Sequence, residues 1–79
     1  MDANISPTQC KMARAALDLG VRDLAKMAVV STNTITRFEK GEEVLKPRTI
    51  SAIRAALEAA GVIFIASNGD GPGVRLRKT

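Results

Sequence analysis

Histidine, tryptophan and tyrosine are absent from this 79-residue chain; cysteine occurs once and phenylalanine twice. Without histidine there is no imidazole general base and no Cys/His zinc site within the chain. The one thiol, Cys10, has no internal disulfide partner, which fits a reducing compartment such as the cytosol. Two rings, Phe38 and Phe64, are too few for a platform that stacks unpaired bases. Long apolar runs are missing as well. The longest cover residues 27–30 and 62–66, whereas a bilayer span needs about 20 residues. No basic segment precedes an apolar one near the start, so no secretory signal is expected.

What remains is a small globular composition. Hydrophobic residues are 46% and charged residues 25%, which argues against disorder. The length fits one domain over 1–79, with a core so small that a second copy would help to stabilise it. Lys and Arg number 12 against 8 Asp and Glu, a net charge of +4. That excess favours a polyanion, nucleic acid above all, as partner.

Ser6-Pro7-Thr8-Gln9 reads as a helix start: a serine cap, proline at the first helical position, and glutamine completing a capping box. The helix is expected over residues 7 to about 19, with Cys10, Ala13, Ala16 and Leu17 as its inner stripe. Gly20 then caps a short helix, Val21–Ala28, whose Leu24, Ala25 and Ala28 share a face. Ser31 caps a third helix over 32–40, with Ile35 and Phe38 inward, Thr32, Asn33, Thr36 and Arg37 outward, and Gly41 closing it. A polar connection over 42–46 leads to Pro47, the start of a fourth helix with Ile50, Ile53, Leu57 and Ala60 inward and Gly61 at its end. Beyond it, β-branched residues 62–65, a turn cluster at 67–73 and the alternating residues 74–77 read as a β-hairpin.

Residues 21–40 carry the most information. Ala25 in the first helix of the pair, Val30 after the turn, and Ile35 and Phe38 in the second give a small-then-large pattern that lets two short helices cross steeply. Such a unit can present its second helix to a DNA major groove. The stretch Leu24-Ala25-Lys26-Met27-Ala28-Val29-Val30-Ser31, followed by Thr34-Ile35-Thr36-Arg37-Phe38-Glu39-Lys40-Gly41, resembles the phage-repressor-like (Cro/repressor, or XRE) helix-turn-helix family. The hairpin is similar to an extension of short bacterial members, and is less diagnostic.

The resemblance implies base or phosphate contacts from Ser31, Thr32, Asn33 and Arg37, with Thr36 a further base-contact candidate, and DNA-backbone contacts from Arg48 and Thr49; Arg22, Lys26, Lys40 and Lys46 are further phosphate candidates. The chemistry suits those roles. Arginine can pair with guanine through two hydrogen bonds, asparagine with adenine, and threonine can meet an edge or a thymine methyl. A helix N-terminus at Ser31 would turn backbone N–H groups and a positive dipole end toward a phosphate. The resemblance also implies a structural ion pair between Glu39 and Arg14 on the first helix. Two positions depart from the family pattern. Val29 stands where a glycine of positive φ is usual, so the turn either differs locally or carries strain. Val21 stands where a phosphate-binding glutamine is frequent.

Other constellations are bland. Residues 69–73 are glycine-rich but lack the Lys-Ser/Thr ending of a phosphate loop and precede a strand, so Asp70 is expected as a turn former. Glu42 and Glu43 are adjacent in a solvent loop and need not converge. Cys10 lies early in a helix, where the dipole can lower a thiol pKa, yet a packing role fits it better. Arg75, Arg77 and Lys78 form a basic strand edge.

The expected fold is therefore mainly α: a four-helix repressor-like DNA-binding domain with a helix-turn-helix (6–61) and a C-terminal β-hairpin (62–78). The expected function is sequence-specific binding of double-stranded DNA by a homodimeric transcriptional repressor at a pseudo-palindromic operator, cytoplasmic and nucleoid-associated. No catalytic residues, metal or cofactor are expected. Val62, Ile63, Phe64, Ile65, Val74 and Leu76 are the candidate dimer interface, with the exposed side of the fourth helix as competitor. The alternative is an antitoxin-type protein that holds a partner toxin through the hairpin and autoregulates its operon.

Overall fold

Ser6 and Gln9 open the first helix through two reciprocal bonds. The Ser6 hydroxyl accepts from the Gln9 amide at 3.0 Å, and Gln9 Oε1 accepts from the Ser6 amide at 2.9 Å. The computed structural model describes residues 5–66 and 71–78. Over these it shows four helices, α1 (Pro7–Leu17), α2 (Val21–Ala28), α3 (Thr32–Glu39) and α4 (Pro47–Ala60), then β1 (Val62–Ile65) and β2 (Gly73–Leu76). The protein is mainly helical with a C-terminal antiparallel hairpin.

Each helix stops for a local reason. α1 ends two residues before the expected Leu19 because Asp18 turns left-handed at φ 58°, and Leu19 N–H bonds back to the Arg14 carbonyl. Aspartate tolerates that conformation better than most residues. Gly20 has no side chain to offer α2, so the cap is the reciprocal bond alone, Gly20 N–H to Asp23 Oδ2 at 2.9 Å. α2 ends at Val29, which is also left-handed (φ 58°, ψ 50°), with Val30 N–H donating to the Ala25 carbonyl at 2.9 Å. The turn thus keeps its left-handed geometry, and the β-branched Val29 bears a strain of about 1–2 kcal/mol. α3 stops at Glu39, one residue short of the expected end. Gly41 at φ 74° then lets Gly41 N–H reach the Phe38 carbonyl and Glu42 N–H reach the Arg37 carbonyl. That is the paired closure a C-terminal glycine permits.

The hairpin pairs Val62 with Leu76 and Phe64 with Val74. β2 lies one residue earlier than the expected 74–77, and the Arg77 amide bonds the Gly61 carbonyl at 2.7 Å, beyond the start of β1. Of the expected turn cluster, residues 67–70, Asp70 among them, lie outside the described residues.

Leu24, Ile35, Ile53, Leu57, Val62 and Cys10 are the largest fully buried side chains. They lie where α2 meets α3 and α4 and where β1 meets α4; β2 packs against α1. Two expected stripe positions are corrected: Ala16 and Ala60 are exposed, at the margins of their helices. Two buried residues were not anticipated. Leu45 anchors the connection that looked wholly polar, and Ile5 sits under the start of α1. Gln9 is buried too; its Nε2 donates to the carbonyls of Ile65 and Gly73, both at 3.1 Å, and so ties α1 to the loop end of the hairpin. A buried amide left without such partners would cost about 1–3 kcal/mol. No helix among the described residues is long and apolar enough to cross a membrane.

Candidate nucleic-acid interface

α3 has two unlike sides. Ile35, Phe38 and Glu39 point inward and are buried. Asn33 and Arg37 are exposed on the opposite side, Thr36 is half-buried at its flank, and Thr32 is exposed in the first turn, in line with Ile35 and Glu39. Helical spacing produces this division: the inward positions recur at three and four residues, and Asn33 and Arg37 are four apart on the far side. Ser31 holds the N-terminus, its hydroxyl accepting from the Thr34 amide at 3.1 Å and lying 2.8 Å from the Thr34 hydroxyl. The Ser31 oxygen is thus already engaged in the cap, and its value to an anion lies in the helix end it shapes.

Two grooves flank α3. One, of about 710 Å³, lies against the start of α2 and gathers Arg22, Lys26 and Thr32, with Asp23 in the same lining. The other, of about 410 Å³, lies against the connection to α4 and gathers Ser31, Thr34, Lys46 and Thr49, with Glu43 and Val44. Arg22, Lys26, Lys40, Lys46 and Arg48 are exposed and Thr49 is half-buried. Lys40 and Arg48 line neither of these grooves. Glu43 was missed as a site residue. It lies 3.8 Å from Arg37 (Glu43 Oε1 to Arg37 Nη1), and the adjacency of Glu42 and Glu43 in sequence held no sign of that partner.

Behind α3, Arg14 and Glu39 pair as the resemblance implies. Arg14 Nε donates to Glu39 Oε2 and Nη2 to Oε1, both at 2.7 Å, while Nη1 donates to the Leu19 carbonyl at 3.0 Å. The Cys10 thiol donates to Glu39 Oε2 at 3.2 Å. Burial pushes the Glu39 pKa up, but the hydrogen bonds from Arg14 and Cys10 and the positive charge of Arg14 and Lys11 outweigh it, and the net direction is down. Burial, and then the Glu39 carboxylate, push the Cys10 thiol well above its ordinary range. Cys10 is thus the packing residue expected, fully buried, and any lowering of its pKa by the helix start is outweighed. No group of three or more His, Cys, Asp or Glu that could hold a metal comes together among the described residues.

In the hairpin, Val62 is corrected from a subunit-interface candidate to a core residue of its own chain, with no exposed surface. Phe64 and Val74 pack partly against that core, and Arg54 lies over the Phe64 ring, 5.5 Å from its centroid. Ile65 is half-buried. Ile63 and Leu76 remain outward, 41% and 54% exposed. Ile63 pairs with Arg75 and Leu76 with Val62, so the two project from opposite faces of the ribbon. The Arg77 guanidinium donates to the Glu58 carbonyl at 2.6 Å and fastens the strand end to α4. No protein-family model matches the chain, and no curated protein matches it.

Proposed function

We propose that the protein is a sequence-specific double-stranded DNA-binding regulator of the Cro/repressor type, acting as a homodimeric repressor in the cytoplasm, at the nucleoid. The observation that carries this reading is the two-sided α3. Its inner side is fixed by Ile35, Phe38 and the Arg14–Glu39 pair, while Asn33 and Arg37 stand exposed together on its outer side and Thr32 is exposed at its first turn. In that role Arg37 pairs with a guanine edge, Asn33 with an adenine edge, and Thr32 and Thr36 meet edges or methyl groups beside them. The helix ends at Ser31 and the groove cations Arg22, Lys26 and Lys46 take phosphates and set the register; Lys40, Arg48 and Thr49 are further phosphate candidates. The reading assigns binding and no catalysis. Among the described residues the one buried carboxylate, Glu39, is held by Arg14 and Cys10 and is not open to a substrate.

A single α3 reads only a few base pairs, so two copies on an inverted repeat are needed for useful discrimination. Ile63 on one face of the hairpin, Leu76 on the other, or the outer side of α4 supplies the contact between copies. The same two exposed side chains also favour the second reading, an antitoxin-type protein whose hairpin holds a partner toxin. Selection of bound sites from randomised duplex DNA at physiological salt tests the proposal. An inverted repeat supports the dimeric regulator. Recovery of no motif, with binding that vanishes as salt rises, overturns it and leaves non-specific affinity alone.

A further inference from the structure

Arg37 and Glu43 face each other at 3.8 Å, and both side chains are largely in solvent, 60% and 45% exposed. A pair at that distance and exposure adds little to stability, so Glu43 is not there to hold α3. Its second neighbourhood is more telling. Glu43 lines the groove that also holds Ser31, Thr34, Lys46 and Thr49. Lys46 and Thr49 offer an ammonium and a hydroxyl suited to a phosphate, the Ser31 and Thr34 hydroxyls are bonded to each other, and Glu43 alone in that lining is anionic. A carboxylate there repels any DNA backbone that approaches, whatever its sequence. It does not repel the uncharged O6 and N7 edge of guanine to the same degree, and it draws the Arg37 guanidinium away from a simple phosphate contact.

We propose, on the DNA-binding reading above, that Glu43 is a specificity-determining residue. It positions Arg37 and penalises phosphate contact, so that Arg37 engages a guanine edge and binding to random duplex is held low. Glu43 acts through Arg37 and makes no base contact of its own.

The test measures affinity for the selected duplex and for random duplex over a range of salt, for the wild type and three variants. Glu43→Gln removes the charge and keeps the shape. Glu42→Gln makes the same change of net charge one residue away, at an exposed position. Glu43→Asp keeps the charge and shortens its reach. Glu43→Gln is expected to strengthen random-duplex binding more than selected-duplex binding, lowering their ratio about three- to tenfold, and to steepen the salt dependence on random duplex by about one phosphate. Glu42→Gln is expected to move both affinities by the same factor, and Glu43→Asp to retain part of the wild-type ratio. Equal effects of Glu43→Gln and Glu42→Gln on the ratio would overturn the proposal, leaving a general charge effect. A wild type that does not distinguish the two duplexes overturns the DNA-reading function itself, and is recognised before any variant is compared.

Discussion

Glu39 and Arg37 lie two residues apart on α3, and each belongs to an ion pair. The Glu39 carboxylate is buried, gripped by Arg14 through two bonds of 2.7 Å and by the Cys10 thiol. The Arg37 guanidinium is exposed and only 3.8 Å from Glu43. Burial decides what each pair does. Water is largely excluded from the first, so removing one partner strands the other charge. Water competes with the second at every moment, so it contributes little to the fold and its members stay available. Two residues of helix thus separate a pair that fixes α3 from a pair that a ligand can rearrange.

The largest effect expected from this contrast is on the buried side. Glu39→Ala leaves Arg14 partly buried without its carboxylate and should cost about 3–5 kcal/mol, read as a fall in denaturant midpoint and melting temperature. An unchanged melting temperature would break the contrast. The pH dependence follows from the same pair. The folded-state pKa of Glu39 lies below its ordinary value of 4.5. Its contribution is therefore fully present above pH 4.5 and lost as pH falls through the depressed value. Unfolding measured from pH 7 to pH 2 should show a loss below about 4.5 that is smaller in Glu39→Gln.

On the exposed side the expectation inverts. Arg37→Ala and Asn33→Ala should leave stability within about 0.5 kcal/mol. Each should weaken binding to the selected duplex by about 1–3 kcal/mol and relax preference at particular base pairs. Titration of matched and singly substituted duplexes checks this. Equal losses on selected and random DNA would mean that these side chains meet phosphates, and the outer side of α3 would then hold no base-reading residue.

The two sides were not equally legible in the sequence. Local chemistry wrote the helix boundaries: the Ser6–Gln9 box, Gly41 and Gly61 act within a few residues of themselves, and α2 matches its expected bounds. The inner side of α3 followed from spacing, and Arg14–Glu39 from the family resemblance alone. What stayed hidden depends on contacts distant in sequence. Gln9 looked like a cap and nothing more, because its other partners, the Ile65 and Gly73 carbonyls, come from a hairpin more than fifty residues on. Val62 read as a strand residue free to meet a second copy, since alternation gives a strand two faces but does not say which one α4 covers. Glu43 is exposed, as its place in a solvent loop implied; its nearness to Arg37, six residues back, is set by the turn of the folded connection and had no sign in the sequence.

The smallest effect sits between the two regions, at the turn that joins α2 to α3. Val29 holds φ 58° and ψ 50° with 88% of its surface exposed, so its side chain contributes little packing to set against the left-handed strain. Val29→Gly removes that strain, about 1–2 kcal/mol, and adds the backbone entropy cost of a glycine, about 0.5–1 kcal/mol. The difference should be a gain of about 0.5–1 kcal/mol, seen as a higher denaturant midpoint with unchanged m-value. The Val30 to Ala25 closure is made by backbone groups and does not need the valine side chain, so the setting of α3 against α2 should persist. Binding to the selected duplex should accordingly be unchanged. A gain in stability with a loss of binding would instead show that the valine at the turn, and not the inner side of α3 alone, determines how Asn33 and Arg37 are presented.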